Sequence, residues 1–171
     1  MAGLRPVRGA GGEPASSAVN LSDPQASRLY AWERASVPDY LTSPLFPSLA
    51  EATRLLHTVW RIESATFGFA PEPPRLHFVS RHGPALAKWS SYAIELPPWA
   101  RRRGVLLHET AHFLTGFRGH GSLFLSMFIA LLARYNGCEL SSLIATSRAA
   151  GLALYSPFLA DVQRGSGLRI N

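Results

Sequence analysis

The spacing of apolar residues divides the 171-residue chain into two helical ends and a short strand-rich middle. Near the start, Leu29, Tyr30 and Trp32 form an apolar cluster at helical spacing. Ser22 or Asp23 stands where it can cap that helix, Pro24 lies in its first turn, and the helix should end before Pro38. A capping box, Ser48 to Glu51, opens a second helix to about Thr66. Its stripe is Leu49, Ala52, Leu55, Leu56, Val59 and Ile62, with Trp60 on the border. Alternation then takes over. Residues 75–79, 87–89 and 92–96 read as three short strands separated by turns. Helical spacing returns from Trp99 to Thr115, from Gly121 or Ser122 to Tyr135, and from about Glu139 to Ala150. The 121–135 segment is apolar on nearly every side, so it should be the most buried helix. Residues 1–21 are glycines, prolines and small polar groups and should be disordered. A single domain is expected over 22–155, followed by a loose tail over 156–171.

The helix ending at Thr115 carries the chemistry. It contains His108-Glu109-Thr110-Ala111-His112, and His120 follows eight residues later. Residues four apart share one helix face, so His108 and His112 can grip one ion between two imidazoles. Glu109 is offset from both and suits a general base beside the ion. Gly116 can end the helix in the left-handed conformation and let the chain return His120 to the same point. Three protein ligands and one open position make a catalytic zinc site rather than a structural one. His57 lies on the second helix and is read as a packing histidine.

Composition narrows the alternatives. One cysteine, Cys138, excludes an internal disulfide and a cysteine zinc ribbon, and is read as a packed thiol. The formal net charge is +6, carried mostly by arginine. That balance suits a polyanion partner, and Arg101-Arg102-Arg103 is the candidate patch for weak nucleic-acid contact. No signal-peptide core precedes the domain, and the longest apolar run, 123–133, is too short for a bilayer. A cytoplasmic protein with no membrane partner is expected.

The segments Asp23 to Glu33, Tyr92 to Pro97, Val105 to His112 and Gly119 to Phe124 resemble an actinobacterial and actinobacteriophage family of metallohydrolases. That family is similar in pattern to SprT-like zinc metallopeptidases. His120-Gly121-Ser122-Leu123-Phe124 looks like their His-Gly-x-x-Phe signature. The resemblance implies metal ligands at His108, His112 and His120, a base at Glu109, and zinc as cofactor. It also implies an α+β, zincin-like fold: a small, mostly antiparallel sheet of about three strands against the metal helix and three to four further helices. A phage or actinobacterial origin follows from the same likeness.

The expected activity is hydrolysis of a peptide or amide bond in a peptide or protein substrate. Tyr92, His82, Lys88 and Arg118 are the candidate donors to the developing oxyanion. If the edge of strand 92–96 is open, an extended peptide can add to it. The alternatives are a zinc hydrolase of a small amide or cell-wall fragment, and a non-catalytic metal-stabilised interaction or nucleic-acid-binding module.

Overall fold

A computed structural model describes residues 23, 25–38, 40–67, 72–116 and 119–164. The expected disorder of 1–21, the candidate cap Ser22, the first-turn Pro24, and Arg118 fall outside them. The described residues form an α+β fold of six helices and a three-stranded mixed sheet.

Helix α1 (Ala26–Ser36) buries Leu29, Trp32 and Glu33. Tyr30, expected inside, is exposed. Gln25 takes the N-cap position without a side-chain cap. Its buried side chain instead donates to the His120 carbonyl and accepts from the Ala153 amide, pinning the helix start to two distant loops. Helix α2 (Leu49–Phe67) begins as expected, with the Ser48 hydroxyl accepting from the Glu51 amide. Its buried face is rotated from the expected stripe. Ala52, Leu56, Val59, Trp60 and Glu63 point inward, while Leu49 and Ile62 sit at the exposed margin. The reason is Glu63, whose Oε1 accepts from Arg134 and from the Tyr135 hydroxyl, both at 2.7 Å, and so draws a polar residue into the core.

Strand β1 (Arg75–Phe78) pairs parallel to β3 (Ala93–Leu96), and β2 (Leu86–Lys88) pairs antiparallel to it. The order is β1-β3-β2, so the sheet is mixed and not mostly antiparallel. The antiparallel pair closes through a one-turn 3-10 helix, Trp89–Ser91, and Tyr92 turns the chain with a left-handed φ of 48°. Tyr92 holds that unfavourable conformation by donating to the Glu72 carbonyl and packing on Trp60 and Phe113. Strand β3 is therefore central, and its edge is not open to a peptide. Among the described residues the unpaired edge on that side belongs to β2.

Helix α3 (Arg103–Thr115) starts later than expected, because Trp99 lies in a separate 3-10 turn, Pro98–Ala100. Every α3 residue from Gly104 to Thr115 is buried, so α3 and not the 121–135 helix is the more completely buried of the two, because it is covered on all sides. It packs on α2, on the sheet, and on α4 (Ser122–Tyr135), which buries Phe124 through Leu132. Helix α5 (Leu140–Ala149) is capped by Glu139, which accepts from the Ser141 and Ser142 amides. Helix α6 (Ser156–Gln163) occupies the stretch expected to be a loose tail. Leu159 and Val162 bury its inner face, and the Tyr155 amide ahead of it bonds the buried Ser126 hydroxyl. Five helices thus accompany the motif helix, more than the three to four expected. No helix among the described residues is long and apolar enough to cross a membrane.

Candidate metal centre

The two α3 histidines stand one turn apart, with ring centroids 5.2 Å apart. Gly116 ends the helix at φ 69°, a left-handed cap that suits glycine. The chain then turns back, and Gly121 caps α4 directly after His120. His120 arrives with its ring 5.1 Å from His108 and 4.9 Å from His112. All three imidazoles are buried, and one ligand atom from each lies within 4.8 Å of the others. Three histidines thus lie close enough to hold one metal ion. Phe124 and Phe128 pack beneath the rings and restrict their rotation.

Two carboxylates of the N-terminal segment fix the ring orientation. His108 Nδ1 donates to Glu33 Oε1 at 2.6 Å. His120 Nδ1 donates to Asp23 Oδ2 at 2.5 Å, and the same oxygen accepts the His120 amide at 2.8 Å. Both rings therefore turn their Nε2 atoms inward, where these lie 3.2 Å apart. Carboxylates on the outer nitrogens raise the basicity of the inner ones, the usual support for a ligating imidazole. Sequence reasoning placed Asp23 as a cap and gave Glu33 no role.

Burial alone would depress His108, but the charge and hydrogen bond of Glu33 outweigh it and raise its pKa. Burial depresses His120, with His108 adding to the effect and Asp23 opposing it. Asp23 is desolvated, yet its hydrogen bonds from His120 hold it below the usual carboxylate range. Glu109 is raised, first by burial and then by the like charge of Glu33, against the pull of His108 and of a hydrogen bond from the Ala87 amide. Three carboxylates, two of them deeply buried, thus face three imidazoles. A cation among the imidazoles would offset part of that buried negative charge. The donor set fits a divalent ion that favours nitrogen ligands.

Beside the histidines opens a cleft of about 400 Å³. Glu109 lines it without belonging to the ligand cluster. The opposite wall is Ala85, Leu86 and Ala87 with Trp89 and Ser90, along and beside β2. Tyr30 of α1 overhangs the site, its ring 6.1 Å from His108 and 5.3 Å from His120. Burial, with Glu33 and Glu109 nearby, pushes its hydroxyl up to about 12, so the phenol stays protonated.

The other candidates lie elsewhere. The Tyr92 hydroxyl is engaged by Glu72, and Lys88 pairs with Glu95 at 2.7 Å. Neither they nor His82 line the cleft. His57 lies on the exposed face of α2, in a separate groove. Cys138 is buried, and burial raises its thiol pKa against a contact from Asn136, as suits a packed thiol. Each of the three arginines is held by a different backbone carbonyl. Arg101 donates to the Val79 carbonyl and lies over the Phe78 ring, Arg102 donates to the Trp99 carbonyl, and Arg103 donates to the Tyr135 carbonyl.

Compared with family models, curated proteins and solved structures, the chain matches none.

Proposed function

We propose that the protein is a zinc-dependent hydrolase of peptide bonds, with a zincin-like arrangement resembling that of SprT-like peptidases. One observation carries this reading. A buried carboxylate, Glu109, stands beside three converged imidazoles, outside their ligand cluster, in a cleft open to substrate. A site that served only stability would need the histidines and their carboxylate supports, but not Glu109 or the cleft.

His108, His112 and His120 would hold the ion. When bound, the ion supplies Lewis acidity to a water and to the substrate carbonyl. Glu109 takes the proton from the attacking water and returns it to the leaving amine. Tyr30 lines the cleft beside His108 and His120, and its phenol would donate to the carbonyl oxygen as charge develops there. The open edge of β2 offers backbone groups to an extended substrate, and the Ala87 amide already points from that edge towards Glu109.

The test joins metal analysis with one substitution. The purified chain should carry about one zinc, and a chelator should abolish cleavage of a peptide library. Glu109→Gln should keep the zinc and lose about 10²–10⁴-fold in kcat, the contribution of a positioned general base. Unchanged hydrolysis in Glu109→Gln would sink the mechanism.

A further inference from the structure

A second cavity, of about 350 Å³, adjoins the catalytic cleft. The two share Tyr30, Ala85, His108 and Glu109 as a common wall. Beyond that wall the second cavity is bounded by Tyr40, Leu41, Pro84, Trp99 and Val105, with Glu33 and Arg34 on its α1 side. Its surroundings hold apolar groups that folding leaves in water. Leu41 is 39% exposed, Tyr30 41% and Trp99 46%, and Leu86, on the cleft's own rim, is 36% exposed. Exposed apolar groups gathered around one depression mark a ligand groove. Trp99 is held there, its indole N–H donating to the Gly83 carbonyl at 2.8 Å.

Strand direction says which part of a substrate reaches this cavity. Strand β2 runs from Leu86 to Lys88, so Pro84 and Ala85 lie before its start and Trp89 and Ser90 beyond its end. The cleft holds the Trp89 and Ser90 end, and the second cavity holds the Pro84 end. An extended peptide pairs with a free edge more stably when antiparallel. It then runs from Ser90 towards Pro84, and its residues beyond the cleaved bond pass Glu109 into the second cavity. Charged groups also line that cavity, the carboxylates of Glu33 and Glu109 and the guanidinium of Arg34, so the apolar walls and not a net charge set its selectivity.

We infer that this cavity selects the substrate by housing a large aromatic or branched apolar side chain on the residue that follows the cleaved bond. The inference rests on the peptidase reading, and its test separates the two. Two hydroxamates that differ only in a benzyl or a methyl group beside the chelating end are titrated into the zinc-loaded full chain. The benzyl compound should bind at least about tenfold more tightly, the discrimination one large apolar group gives in a matching pocket. Leu41→Trp, which fills the cavity from its rim, and Trp99→Ala, which removes a wall, should each cut that ratio to below about threefold while sparing the methyl compound.

In a peptide library, cleavage sites should be enriched for phenylalanine, tyrosine and leucine after the cut. Equal binding of the two hydroxamates, or a ratio that both variants leave unchanged, overturns the inference. So does cleavage without preference at that position, which leaves the peptidase reading standing. A library left uncut by the zinc-loaded chain overturns the peptidase reading, and the hydroxamate ratio still decides the cavity's selectivity. Failure of both hydroxamates to bind overturns both.

Discussion

Glu33 precedes His108 by 75 residues and lies 2.6 Å from its Nδ1. It also accepts the hydroxyl of Tyr40, so a buried network joins α1, the loop after it and the metal helix. Glu33→Gln keeps the shape but removes the charge that makes His108 a strong ligand. Zinc affinity should fall about 10–100-fold, with a competing chelator as the readout, and Asp23→Asn should act alike through His120. Unchanged affinity in both variants would mean that the carboxylates only pack. Tyr30 belongs to a different class, since it touches the cleft itself. Tyr30→Phe should lower kcat about 100-fold while zinc content and KM hold, because the lost hydrogen bond forms only as the oxyanion develops. At this scale the sequence was legible where spacing was local. His108, Glu109 and His112 share one helix turn, and Gly116 and Gly121 announce the return of His120. Glu33, Asp23 and Tyr30 were not legible as site residues, because they meet the histidines only through tertiary packing and no periodicity encodes that.

Helices read well from the apolar pattern, but their orientation was set by groups the pattern ignores. On α2 the inward turn of Glu63 moved Leu49 and Ile62 to the margin and brought Trp60 inside. Glu63 and Arg134 tie α2 to α4, the helix that begins beside His120 and carries Phe124 and Phe128 under the rings. Both side chains are largely withdrawn from water. Glu63→Leu strands the Arg134 charge and the Tyr135 hydroxyl, and should cost about 3–5 kcal/mol in urea unfolding at unchanged m. Adding Arg134→Leu should restore most of that loss, since an apolar pair of similar volume replaces a buried ion pair at little cost. If the double variant is no better than the single one, the pair is not what orients α2. The strands were the harder case. Alternation located all three, yet nothing in a four-residue strand states its partner, so the parallel β1–β3 pairing and the central place of β3 came from the fold. That placement moves the open edge from β3 to β2.

Taken as a whole, the molecule gathers its site from three separate pieces of chain: α3, the turn before α4, and the segment from Asp23 into α1. An ion bound to the three imidazoles therefore stabilises contacts across the domain and not one helix alone. The unfolded chain brings His120 near the other two only by chance, so binding favours the folded state. At free zinc about 100 times its Kd, the gain is about 2.7 kcal/mol. For a chain of this size each kcal/mol moves the melting temperature by about 2–4 °C, so the shift should be about 5–10 °C. Thermal melts in a chelator and in buffered zinc series measure it. The shift should persist in Glu109→Gln, which spares the ligands, and vanish in His112→Ala, which removes one without touching either supporting carboxylate. A melting temperature that ignores free zinc in the unaltered chain would show that the three imidazoles pack together without sharing an ion.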